Sequence, residues 1–435
     1  MFRRSDPDVT LFALMAGWLI LCLYIGVTVG EKYLPLPSAS LSISGGAEGG
    51  YYQILAKEYA QELRARGFDA QVMDSQGSMQ NMQRISLAEA DASFSREGIA
   101  AHSLRGVNLE NVLLIAQISQ DPVWIFSRIP PFESFEEIKD KRFAIGRPGS
   151  GSELVAKDLL RIDQVDVEDL PNRVEVSGEL PRLFKEGKVD VAIQVMAADA
   201  PLIQQVLAIK EVHLIDLPKA AGLGIHIPYF HLTEIKDPAN RHSAAAPNKM
   251  RSMLSARTSL IARVDLHPAI QRQLADVAVK LHGETGRLNA GGANPNQKAT
   301  ELNKSLAARD VLLAGLPWLE SRMSPRHAYI VYRIVLIWLP LIALTYLVYY
   351  VASMLVKSSI HNRIAQLYGS IKYLEVDLRH SQLDGLQLSN AYRRIKEIDQ
   401  EIAVLKKASS GLERFLILER HVSSVQTSLH KLMGR

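Results

Sequence analysis

Two stretches of this chain gather residue types able to hold a small anion. Residues 43–59 read Ile-Ser-Gly-Gly-Ala-Glu-Gly-Gly-Tyr-Tyr-Gln-Ile-Leu-Ala-Lys-Glu-Tyr, and residues 146–152 read Gly-Arg-Pro-Gly-Ser-Gly-Ser. In both, a short apolar run (Leu41, Ile43; Phe143, Ile145) enters a glycine loop. An apolar stripe at helical spacing leaves it (Tyr52, Leu55, Ala56, Tyr59, Ala60, Leu63; Leu154, Leu159, Leu160). The pattern is strand, loop, helix. Gly45, Gly46, Gly49 and Gly50 permit positive φ and close backbone approach, and the first helical turn offers unpaired N–H groups at the positive end of the dipole, which suits a carboxylate or phosphate. The alternative is a tight turn that needs glycine for its own geometry. Ser150 and Ser152 likewise either cap their helix, worth about 1 kcal/mol, or add hydroxyls to an anion site.

The familiar catalytic readings of such loops fail. A phosphate-cradling P-loop needs Lys-Ser/Thr directly after its last glycine, where this chain has Tyr51 and Tyr52. The dinucleotide fingerprint Gly-x-Gly-x-x-Gly lacks its middle glycine from either Gly45 or Gly46. The twelve histidines are scattered; His226 and His231 flank Pro228-Tyr229-Phe230 at a spacing that does not share a helix face, and no metal site is expected. Cys22 is the single cysteine, which excludes an intrachain disulfide and a thiolate zinc site. A formal charge of +4 over 435 residues gives no argument for nucleic-acid binding.

These loops must be positioned by alternating elements. Strands are expected at Leu41–Ser44, Ala70–Met73, Ala92–Phe94, Val112–Ile118, Val123–Ser127, Arg142–Ile145, Val174–Val176, Val189–Val195 and Val212–Leu217, with helices between most of them. That is an α/β fold with largely parallel sheets. The direct succession of two strands at Asp121-Pro122 breaks the alternation and marks where a two-lobed chain would cross a hinge. Helices Pro268–Gly283 and Gln297–Ala314 are expected around a loop at Asn289–Gln297.

Membrane and tail elements flank this region. Val9–Gly30 is an uncharged apolar run of 22 residues preceded by Arg3 and Arg4, long enough to span a bilayer as an uncleaved anchor. Leu19-Ile20-Leu21-Cys22 is a poor lipoprotein box, since the apolar run continues past the cysteine. Tyr329–Val356 is a second span, with Arg333 near its start, aromatic residues toward both ends, and Pro340 expected to kink it. From Lys357 apolar residues recur at heptad spacing (Ile360, Ile364, Leu367, Ile371, Leu374, Leu378, then Ile395, Ile398, Ile402, Leu405), with a break at Ser381–Gly385. A helical hairpin or short coiled coil follows, a surface also suited to self-association.

The ordered motifs resemble a known family. Ser-Gly-Gly-x-x-Gly-Gly-Tyr-Tyr at 44–52, Gln76-Gly77-Ser78-Met79-Gln80-Asn81, Leu87-Ala88-Glu89-Ala90-Asp91-Ala92, Phe135–Arg142, Gly146–Ser152 and Leu183–Val191 are together similar to the TAXI solute receptors, the substrate-binding subunits of a class of TRAP transporters. The resemblance implies a periplasmic-binding-protein-like α/β domain of two lobes closing on a small organic anion, with no catalysis and no cofactor. It places Gly46, Tyr51, Tyr52, Ser78, Ser95, Ser150, Ser152 and Gln194 on the ligand. This chain departs from the family with Ala47 and Glu48 where threonines are usual, and with Met196-Ala197-Ala198-Asp199 in place of a more glycine-rich turn. It also carries Arg96 where a neutral polar residue is common, placed to pair with the ligand or with Glu48.

The expected organisation is a cytoplasmic N-terminus at 1–8, a transmembrane helix at 9–30, a two-lobed domain at 41–324, a second transmembrane helix at 329–356 and a helical tail at 357–435. Lobe 1 comprises about 41–121 and 217–316, and lobe 2 about 122–216. TRAP-type membrane subunits are the implied partners. The alternative is a membrane scaffold or sensor whose tail binds a protein and whose outer domain has lost its ligand. Residues 357–435 hold 13 Lys plus Arg against 8 Asp plus Glu, and positive flanks stay inside. The domain is therefore expected in the periplasm of a bacterial inner membrane, with both termini cytoplasmic. An alkaline phosphatase fused near Gly222 should be active and one fused near Gly434 inactive; the reverse pattern refutes this topology.

Overall fold

The computed structural model describes residues 7–100, 106–176, 178–215, 227–236, 250–283, 295–298, 302–380, 384–407 and 412–434. Two compact units result: Leu36–Tyr329, and Met1–Pro35 together with Ile330–Arg435.

The long unit follows α1 (Pro7–Tyr33) and begins β1 (Ser40–Ser44), α2 (Tyr51–Ala65), β2 (Asp69–Met73), α3 (Ser78–Ser86), β3 (Ala92–Arg96) and β4 (Val112–Ser127). It continues with β5 (Arg142–Ala144), α4 (Gly151–Ile162), β6 (Asn172–Val174), α5 (Leu180–Lys185), β7 (Val191–Val195), α6 (Pro201–Leu207) and β8 (His213–Leu214). Then come β9 (His231–Lys236), β10 (Met250–Arg263), α7 (Pro268–His282), β11 (Asn303–Lys304), α8 (Leu306–Ala314), α9 (Trp318–Arg322) and α10 (Pro325–Arg333). The strands run in the order β2-β1-β3-β10-β4-β7-β5-β6, with β11 and β8 on β4 and β9 on β10.

The α/β class holds, but the sheet is mixed. The two ends are parallel, β2-β1-β3 and β7-β5-β6, as right-handed strand-helix-strand units require. The middle is antiparallel, where β10 runs against β3 and β4, and β4 runs against β7. The sequence pattern suggested two strands separated at Asp121-Pro122; the backbone is instead one 16-residue strand, β4. The partner changes there: β10 pairs with β4 up to Pro122, and β7 pairs from Val123. Proline lacks the N–H that a central ladder needs, so it is tolerated at such a change of partner.

β10 escaped the sequence reading. Its residues, Met-Arg-Ser-Met-Leu-Ser-Ala-Arg-Thr-Ser-Leu-Ile-Ala-Arg, mix helix formers with small polar ones, and only burial between β3 and β4 makes them a strand. The second helix expected from Gln297 starts at Leu306, because Ser305 caps it by accepting from Ala308 N at 3.0 Å, while Asn296 bridges to Gln117. The strand expected at Val174–Val176 lies earlier, at Asn172–Val174. Of Val212–Leu217 only His213–Leu214 is strand, and 216–217 lie outside the described residues. Residues 289–294 of the expected loop, and His226, also lie outside them. Separate apolar cores serve the two ends: Leu41, Ile43, Leu55, Tyr59, Ile270 and Leu274 under the first, and Ile125, Phe143, Val155, Leu159 and Ile193 under the second.

In the other unit, α1 covers the first apolar run, and α10, a π turn at Ile334–Trp338 and α11 (Leu339–His380) cover the second. Both are long and apolar enough to cross a membrane. The helix does not end at Pro340. The missing N–H would have bonded the carbonyl of Leu336, which lies within the π turn, so the widened turn takes up the misfit. Trp18 Nε1 donates to Thr345 Oγ1 at 3.1 Å, and Arg333 Nε donates to Leu34 O at 2.8 Å, just beyond the end of α1. That bond places the one charge of the second run on a carbonyl beside a helix C-terminus. A Cβ on Gly26 would meet the Trp338 ring at 2.7 Å, so glycine is what lets the helices approach.

The tail departs from a two-helix hairpin. The C-terminal half of α11, α12 (Gly385–Lys407) and α13 (Leu412–Leu432) share one core, in which Phe415, Leu418, Val422, Val425 and Leu429 of α13 meet Leu367, Ile371, Ile395, Ile398 and Ile402. Leu418→Ala should cost about 2–5 kcal/mol. Hydrogen exchange across 367–429 should rise accordingly and that of Leu36–Tyr329 stay unchanged; unaltered exchange in the tail contradicts this packing.

Candidate functional site

The two glycine loops are built by one device used twice. Gly49 has φ +72° and Gly149 φ +80°, and each N–H is taken by a side chain four residues on, Gln53 Oε1 at 2.9 Å and Glu153 Oε2 at 2.7 Å. The helix thus pulls its own loop over its first turn. Gly45 and Gly46 are needed for closeness, since a Cβ on them would lie 3.1 Å from the Cβ atoms of Ala56 and Tyr52 respectively. A third segment bridges the two loops: Ser75 N donates to Gly46 O at 3.2 Å, while Gly77, at φ +124°, lies against Ser150 and Met79 N donates to Gly149 O at 3.2 Å.

Between them is a cavity of about 290 Å³ lined by Gly46, Tyr51, Tyr52, Arg96, Ser150, Ser152 and Gln194 among others. Seven of the nine residues expected at a ligand therefore share one surface. Ser78 and Ser95 are buried behind it: Ser78 Oγ donates to Tyr52 Oη at 3.4 Å and accepts from Arg96 N at 3.2 Å, so it braces the wall. The serines of the second loop have structural partners. Ser150 caps α4 by accepting from Glu153 N at 3.2 Å, and Ser152 Oγ accepts from Val195 N at 3.1 Å. The first-turn N–H groups of Tyr51, Tyr52, Gly151 and Ser152 have no hydrogen-bond acceptor among the described residues. Two helix starts therefore present unpaired donors to one cavity.

Arg96 is the cavity's buried cation, and Asp121 the partner that the sequence did not reveal. The guanidinium Nη1 lies 3.1 Å from Asp121 Oδ2, and Nη2 donates to Val195 O at 3.0 Å. Thr258 Oγ1 donates to the same carboxylate oxygen at 2.7 Å. The expected alternative partner, Glu48, is solvent-exposed and does not pair with Arg96. A signal existed, because a carboxylate inside a strand as apolar as β4 needs a cation, but its partner stands 25 residues away on another strand. Burial alone would lower the guanidinium's pKa; the charge and hydrogen bond of Asp121 help hold the group above its usual value. Burial, then the carboxylates of Asp121 and Asp199, push the Tyr51 hydroxyl far up, so it stays a neutral donor. His231 Nε2 lies 3.1 Å from Glu97.

Removing one member of this pair strands the other. Asp121→Ala should cost about 3–5 kcal/mol in denaturant unfolding of the full chain, and Arg96→Met with Asp121→Ala should cost less than the two single changes together. Additive losses would show that the pair is not coupled.

Malate-bound MatC from Rhodopseudomonas palustris is 16% identical, over 69% of this chain and 98% of that one, with a TM-score of 0.39. The alkanesulfonate-binding protein SsuA from Xanthomonas axonopodis pv. citri, bound to MOPS, is 11% identical over 56% and 75%, with a TM-score of 0.31. A zinc-bound ligand-binding component of an ABC-type import system from Staphylococcus aureus is 11% identical over 55% and 72%, with a TM-score of 0.34. Residues 43–238, which carry both loops, Arg96, Asp121 and Gln194, match the model of the NMT1-like family.

Proposed function

We propose that residues 41–324 are a two-lobed solute receptor that captures a small organic anion in this cavity. The observation that carries the reading is the convergence of two helix N-termini, each with unpaired N–H groups, on a cavity partly walled by apolar side chains. The match of residues 43–238 to the NMT1-like family supports it. In this reading the parallel ends of the sheet are the lobes, and β4 and β10 form the hinge where β4 changes partner at Asp121-Pro122. The ligand favours closure by touching both loops at once. The chain is held by two transmembrane helices with its receptor domain in the periplasm, its termini in the cytoplasm, and a TRAP-type transporter as partner.

A second reading rests on the tail. Three helices with a common buried core exceed what an anchor needs, which suits a scaffold or a sensor that reports lobe closure to a cytoplasmic protein. Deleting residues 357–435 should leave affinity and uptake intact in a pure receptor and abolish output in a sensor.

Native mass spectrometry of the detergent-solubilised full chain should release a co-purified small anion. Calorimetry with that molecule then tests the loops. Ser150→Ala and Tyr51→Phe should each weaken binding by about tenfold to a hundredfold, as expected for a lost hydrogen bond to a charged ligand. Loss of the α4 cap alone would lower stability by about 1 kcal/mol with affinity kept. Unchanged affinity in both variants removes the loops from the site.

A further inference from the structure

The charges around the cavity restrict what it can hold. Resting on the receptor reading, we infer that its solute carries one negative charge and not two: a mono-anion with an apolar body and an uncharged hydrogen-bonding group.

Among the described residues the charged side chains lining the cavity are Arg96 and Arg147. Arg96 is already matched. Its side chain and that of Asp121 are 3% and 0% exposed, its two terminal nitrogens bond Asp121 Oδ2 and Val195 O, and only Nε remains without a partner. Arg147 is exposed at the mouth, where the adjoining cavity sets it among Glu48, Asp74 and Glu175. Three carboxylates face that one cation. What remains for an anion is the two helix starts, each equivalent to about half an elementary charge, which together match a single carboxylate. A second carboxylate would find no free cation there, since Arg96 is held by Asp121 and Val195.

The remaining polar groups suit a neutral function instead. Arg96 Nε and Gln194 Nε2 are buried donors without partners, and both residues line the cavity. Buried donors left unpaired are costly, so a ligand carbonyl or hydroxyl oxygen that reaches them gains what an apolar end forfeits. Ile54, Val176, Met196, Pro201 and Leu202 line the space between and favour a hydrocarbon middle.

Three probes of equal length decide the matter on the full chain in detergent: hexanoate, adipate, and the monoamide of adipate. The monoamide should bind at least about tenfold more tightly than adipate, because the dianion buries an uncompensated charge. Asp121→Asn releases the charge of Arg96 and should shift the monoamide-to-adipate ratio toward adipate by about tenfold or more. Should that variant fail to fold, the wild-type comparison still decides. Adipate binding as well as or better than the monoamide overturns the inference and leaves the anion-receptor reading standing. Failure of all three probes to bind overturns that reading, and the inference with it.

Discussion

A cation and a carboxylate buried together at the middle of a sheet constrain the strands around them. Arg96 ends β3, Asp121 lies in β4 one residue before the ladder changes partner, and Thr258 of β10 donates to the same carboxylate oxygen as Arg96. Val195, at the end of β7, accepts the other arm of the guanidinium. One ion pair therefore touches both parallel ends of the sheet and the two strands that join them. Replacing such a pair with apolar residues is often neutral for stability, so its retention fits specification of a register, and here it also sets the charge of the cavity beside it.

The cavity depends on this arrangement and on a local device. Gln53 and Glu153 each fold their loop back over the helix start, a contact that spans only four residues and so forms independently of the rest of the sheet. The approach of the two starts is not local. It runs through the segment before α3, with Ser75 on Gly46 and Gly77 against Ser150, contacts between segments that are far apart in sequence. Gly151 illustrates the tightness: a Cβ there would lie 2.8 Å from Arg96 Nε. Helix start and buried cation are thus held together by the absence of a side chain.

The second unit obeys different physics. Its two apolar helices meet through the Trp18–Thr345 hydrogen bond and at Gly26, where the Trp338 ring lies against the glycine. Beyond them α11 continues as one helix into a water-type core, where heptad spacing again produces packing of the familiar kind.

Spacing within a segment was legible in the sequence alone. The strand-glycine-helix loops, the two apolar runs and the heptads after Lys357 all follow from periods of two to seven residues, while the residues that share the cavity surface were named through the family resemblance. The tertiary structure alone decided the rest. β10 became a strand because two strands flank it, and Pro122 stayed within β4 because its ladder changes partner there. Arg96 found Asp121 and not Glu48, and Ser78 and Ser95 turned behind the wall rather than onto it. Each of these depends on a neighbour contributed by a distant segment. Local propensity carries no information about such neighbours, and the energy of burying a charge or completing a ladder outweighs it.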